Sequence, residues 1–148
     1  MTASDLIGLA ITIIFGALVS GSPLLFATIG EIFSERGGVM NLGIEGMMLV
    51  GAMSGFAVWS RTDSLLLGLL AGMALGALFA LIHAFITITL RADQVVSGLA
   101  VTFLGTGLSS ILGQPYVGQR VPEPSTLILP ILGNVAAEQI ILIIIGMI

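Results

Sequence analysis

The stretch Gly30–Gly46 reads GEIFSERGGVMNLGIEG. It sets Glu31, Glu35, Arg36 and Glu45 close together in a chain that is otherwise strongly apolar. On a helix, Glu31 and Glu35 share a face at i, i+4, and so do Asn41 and Glu45. Between the two pairs, Gly37 and Gly38 interrupt any helix that tries to run through. Two helix ends therefore aim acids and an amide at one break. What the break is for depends on the medium around it.

That medium follows from composition. Of the 148 residues, 57% are hydrophobic and 8% charged, against roughly 25% charged in a soluble domain. Too few polar groups exist to cover a water-facing surface, which leaves an integral membrane protein. A lipid-facing β-barrel needs segments of alternating polarity, and none is present. The 20 glycines suit closely packed helices instead. The absence of cysteine excludes disulfides and thiolate metal sites. With no lysine and four arginines, there is no basic patch for nucleic acid. The N-terminal MTASDLIGLAITIIFGALV lacks the basic start of a signal peptide and reads as a retained span.

Apolar runs between short polar breaks give the spans. The first runs from Leu6 to about Ser20, where Pro23 ends it and opens a short second segment reaching Arg36. The third runs from about Met40 to Trp59, the fourth from Ser64 to Leu90, and the fifth from Gln94 to about Leu112. GQPYVGQRVPEPST is a loop with a candidate interfacial Tyr116. EQIILIIIGMI then begins another span and stops inside it. The fold expected is an all-α, polytopic transmembrane bundle with about five complete spans and the start of a sixth. The charges at the span ends balance, so the positive-inside rule leaves orientation open.

Within the fourth span, Gly68, Gly72, Gly76, Ala80 and Ala84 recur every four residues, a stripe that lets another helix approach closely in lipid. In the fifth, Gln94, Gly98, Thr102, Gly105 and Ser109 keep a helical rhythm and make one slender, polar face. Such a face must look at protein or water, and it either packs or lines a path. His83 has neither a second histidine nor a cysteine to share a metal, so a hydrogen-bonded or pathway histidine is expected and no metal or cofactor. Arg61, Asp63, Arg91 and Asp93 sit at span ends as interfacial caps. Glu31 and Glu45 lie deeper, where a carboxylate costs about 2.5–3.5 kcal/mol on insertion scales. Broken helices with polar groups near mid-depth are how transporters build substrate sites. An ion pair or hydrogen-bond lock between helices is the alternative, and the two are compatible.

At these residues a family resemblance becomes specific. GEIFSERGGVMNLGIEGMMLVGA, followed by LIHAFITITLRADQVVSGLAVTFLGTGLSSILGQPYVG, resembles the paired blocks of the inner-membrane permeases of bacterial ABC importers. The likeness covers roughly residues 20–135 and leans toward the nucleoside and simple-sugar group. It implies a permease without enzymatic activity of its own, driven by a separate ATPase. The pathway residues implied are Glu31, Asn41, Glu45 and Gly46 in the first block. In the second they are His83, Gln94, Ser97 and Gly98, with Asp93 matching alongside and Thr102 on the same helix face. The implied partners are a second permease subunit, cytoplasmic ATPase subunits, an extracytoplasmic solute-binding lipoprotein and membrane lipid. Members of the family are about twice as long, so residues 1–148 are expected to be the N-terminal half of the transmembrane domain. The rival readings are a cation-coupled secondary transporter using Glu31 or Glu45, and a non-transporting scaffold or small pore built on the glycine stripe.

Overall fold

In the computed structural model, the structure describes residues 3–119, 126–129 and 133–136. The chain divides into two compact units, one of Met1–Ile29 with Glu123–Ile148 and one of Gly30–Pro122. Helix α1 spans Ala3–Arg36, α2 Ile44–Thr62, α3 Leu65–Ala84 and α4 Gln94–Gly113. A π-helical segment, Phe85–Thr89, prolongs α3, and a 3-10 turn, Gln114–Tyr116, prolongs α4. The first unit also holds an antiparallel hairpin, β1 (Thr126–Leu129) with β2 (Gly133–Ala136), in which Thr126 faces Ala136 and Leu129 faces Gly133.

The expected break at Pro23 does not occur. Pro23 lies inside α1, so the first two expected segments are one helix. Within a membrane, neighbouring hydroxyls and small local adjustments tolerate a proline that would end a soluble helix. Here Ser22 Oγ donates to the Leu18 carbonyl at 2.7 Å, in the turn where the proline ring sits. Among the described residues, three helices are long and apolar enough to cross a membrane: Asp5–Arg36, Leu65–Thr89 and Gln94–Tyr116. The start of the expected sixth span, from Glu138 onward, lies outside the described residues.

Helix α2 falls short of that apolar standard, and its position explains why. It packs on both α3 and α4, so its neighbours cover much of its surface. Where the three helices meet, Met47, Val50, Phe79 and Val101 are buried, with Leu75, Ala80 and Leu108 against them.

The helix ends are set by local chemistry. Ser64 Oγ accepts from the Leu67 N–H to start α3, and Asp93 Oδ1 accepts from the Val96 N–H at 2.9 Å to start α4. Asp63, at φ +52°, closes α2 with its N–H on the Trp59 carbonyl. Arg91, at φ +53°, follows the π segment, and the Ala92 N–H reaches back to the Ile86 carbonyl. Gly38, at φ +81°, ends α1, with the Val39 N–H on the Ser34 carbonyl.

Two seams hold the three helices together. Between α2 and α3, Gly51 and Gly55 face Gly72 and Gly68. A Cβ on Gly68 would stand 2.9 Å from the Gly55 carbonyl oxygen and from Trp59 Cβ, and one on Gly72 2.9 Å from the Gly51 carbonyl oxygen. Farther along the stripe the contact loosens: a Cβ on Gly76 would meet only the Met47 carbonyl, at 3.9 Å. Ala80 lies against the core, and Ala84 is half-buried at the end of α3. Between α2 and α4 the approach is closer. A Cβ on Gly46 would lie 2.6 Å from Thr102 Cα, and one on Gly105 would collide with the Gly46 backbone.

Candidate functional site

The loop Gly37–Gly43 lies alongside the first turns of α4 within the Gly30–Pro122 unit. A Cβ on Gly98 would touch Leu42 Cβ and N at 2.9 Å. Irregular backbone packed against a helix leaves amides and carbonyls without ladder partners, and each buried orphan would be costly. Side chains supply the partners.

Gln94 works in both directions. Its Oε1 accepts from the Met40 N–H at 2.7 Å and its Nε2 donates to the Gly38 carbonyl at 3.1 Å. Glu31 Oε1, from α1, accepts from the Asn41 N–H at 2.9 Å, and Ser34 Oγ donates to the Val39 carbonyl at 2.8 Å. Thr102 Oγ1 donates to the Leu42 carbonyl at 2.8 Å. Asn41 Oδ1 accepts from the Gly43 N–H at 3.0 Å, which sets the amide orientation and leaves Nδ2 to approach Met47 Sδ.

His83 is 2% exposed and joins the loop to α4. Its Nε2 lies 3.2 Å from the Met40 carbonyl and its Nδ1 3.0 Å from Ser97 Oγ. A carbonyl only accepts, so Nε2 donates to Met40, while the Ser97 hydroxyl can pair with Nδ1 as donor or acceptor. Both ring nitrogens are engaged. Thr87, on the π segment, donates to the His83 carbonyl at 2.8 Å and closes the turn beneath it.

The structure thus brings Glu31, Asn41, His83, Gln94, Ser97, Gly98 and Thr102 together around one loop. The polar face of α4 is a seam: Gln94, Gly98, Thr102, Gly105 and Ser109 all meet the loop or α2, Ser109 Oγ through the Leu49 carbonyl at 3.3 Å. Gly46 is buried in that seam. Glu45 stands apart from the group. It is exposed on the outer face of α2, in line with exposed Leu49 and Ala52. One loose end remains inside the latch, because Glu31 Oε2 is buried without a hydrogen-bond partner.

Sequence reasoning left out Ser34, which completes the latch; its hydroxyl one turn from Gly38 was the available signal. It also missed an aromatic corner at the other end of α2 and α4. There the Phe56 and Tyr116 rings meet edge to face at 5.9 Å and 88°, with the Arg61 guanidinium 5.4 Å from the Tyr116 ring centre.

The level of Glu45 follows from the seam. Its neighbour Gly46 packs on Thr102, eight residues beyond Gln94, which at about 1.5 Å per residue is ~12 Å along α4. The apolar span that contains α4, Gln94–Tyr116, is 23 residues long. Glu45 is therefore level with a point about one third of the way along a membrane-length helix.

Comparison with known proteins gives the same direction. Residues 13–148 match the family model described as branched-chain amino acid transport system / permease component. A Haloferax volcanii protein, provisionally named glucose ABC transporter permease protein TsgC13, is 44% identical over 115 residues, covering 78% of this chain and 35% of its own length. The guanosine ABC transporter permease protein NupQ of Bacillus subtilis is 38% identical over 130 residues, 81% of this chain and 41% of the relative. The nucleoside ABC transporter permease protein NupC of Lactococcus lactis subsp. cremoris is 39% identical over 114 residues, 72% of this chain and 36% of the relative. The alignments thus span 35% to 41% of the length of these relatives. No solved structure gives a significant match. The chain belongs to the branched-chain amino acid transport system / permease component family.

Proposed function

We propose that this chain is part of the membrane-spanning permease of an ATP-binding cassette importer in the bacterial inner membrane, moving a nucleoside or, second, a simple sugar. The family match and the named relatives support the transporter class. The observation that carries the site is Glu45: an exposed carboxylate on α2, next in sequence to Gly46, which packs on Thr102 about a third of the way along the Gln94–Tyr116 span. A carboxylate at that depth faces water or protein rather than lipid. On α4, Thr102 and Thr106 each donate their proton to a backbone carbonyl, leaving the oxygen to accept. With the Glu45 carboxylate, these groups would offer acceptors to a solute rich in O–H and N–H donors.

On this reading the pathway residues are Glu45 and Thr102. Glu31, Asn41, Gly46, His83, Gln94, Ser97 and Gly98 hold the loop and the α4 seam that shape the pathway's edge. The partners that complete the machine are a second permease subunit, an ATPase that supplies the energy and an extracytoplasmic binding lipoprotein. Reconstituted vesicles holding the full-length permease, its ATPase and its binding protein provide the test. Guanosine uptake is expected to require ATP hydrolysis and to survive collapse of the proton gradient. Uptake that follows the gradient and ignores ATP would establish the cation-coupled rival, and no uptake of any solute would favour the scaffold.

A further inference from the structure

We propose that a cavity between α2 and the end of α4 is a subsite for the flat ring of a nucleobase. The inference rests on the reading of the Glu45 face as solute-facing. Leu49, Ala52 and Phe56 follow Glu45 at four, seven and eleven residues, which keeps them on one stripe of α2. All three line a cavity of about 280 Å³ completed by Met53, Ser109 and Tyr116. The volume lies just below the ~300–1,000 Å³ typical of ligand sites, enough for a flat ring.

The walls select the class of ligand. Leu49 and Met53 are apolar, and Phe56 braces Tyr116 edge to face at 5.9 Å. The Arg61 guanidinium lies 5.4 Å from the centre of the same Tyr116 ring. A braced aromatic wall suits a flat π system, because every base can stack whatever its edge pattern. A hexose presents hydroxyls all round, and the lining side chains offer only the hydroxyls of Ser109 and Tyr116. Ser109 already donates its proton to the Leu49 carbonyl. The cavity thus separates the two solute classes named among the relatives, in favour of the nucleoside.

The chain contains no cysteine, so Met53→Cys places a single thiol of this segment at the cavity wall. In the assembled full-length importer, a water-soluble methanethiosulfonate reagent should modify that thiol. Guanosine should slow the reaction about tenfold, within the range that base–aromatic stacking delivers, whereas glucose should not. Adding Tyr116→Leu should bring the guanosine effect within about twofold of the free rate, and Tyr116→Phe should retain it. Equal protection by guanosine and glucose, or by neither, would overturn the ring subsite and leave the solute-facing reading standing. Modification only by a membrane-partitioning maleimide would overturn both.

Discussion

The two seams of α2 solve the same problem by different chemistry. Against α3, glycine meets glycine: Gly51 and Gly55 face Gly72 and Gly68 in close backbone approach, and among the described residues no side-chain hydrogen bond crosses the join. Against α4 and the loop Gly37–Gly43, the close approach at Gly46 and Gly105 is accompanied by polar contacts from Gln94, His83, Thr102 and Ser109. The difference lies in the backbone being packed. Both partners at the first seam are helices with satisfied amides, and small residues suffice. At the second, part of the backbone is irregular and each amide or carbonyl needs its own donor or acceptor. The small stripe of α3 meets a helix, and the polar stripe of α4 meets both the loop and α2.

Gly105→Ala should break the second seam most severely, since the new methyl would overlap Gly46 backbone that cannot rotate away. We expect a loss at or above the ~1–3 kcal/mol usual for overpacking, read as a large drop in the thermal midpoint of the detergent-solubilised full-length permease. His83→Ala should follow. It orphans the Met40 carbonyl and the Ser97 hydroxyl, at roughly 1–3 kcal/mol for each buried group left unpaired. The same melting measurement, with amide exchange at Met40–Gly43, should show the loop loosening first.

Gly72→Ala tests the dry seam. Its methyl would press the Gly51 carbonyl at 2.9 Å, so about 1–2 kcal/mol is expected, without any change in loop exchange. That contrast sharpens the comparison, because only the polar seam should couple to the loop. Gly76→Ala should change the midpoint least. Its nearest neighbour is 3.9 Å away, and the gain of up to ~1 kcal/mol in helix propensity offsets any crowding.

Legibility in the sequence followed the same divide. The start of α3 at Ser64 and of α4 at Asp93 could be read within a residue or two, because the caps sit where an apolar run meets a short polar side chain. The break at Gly37–Gly38 was equally plain. Pro23 misled because proline's penalty depends on whether water or helix neighbours surround it, which the local sequence does not state. Periodicity showed that Gln94, Gly98, Thr102, Gly105 and Ser109 share a face, but not what stands opposite it. A path and a seam have the same period; the structure shows Glu45 exposed and Glu31 bonded to the loop at Asn41.

The most direct measurement is water access at Glu45. A Glu45→Cys variant of the full-length permease, in membranes with its ATPase, should react with a charged, water-soluble thiol reagent and be shielded by transported solute. Reaction only with a lipid-soluble reagent, or no reaction while the complex still transports, would contradict a solute-facing groove between α2 and α4.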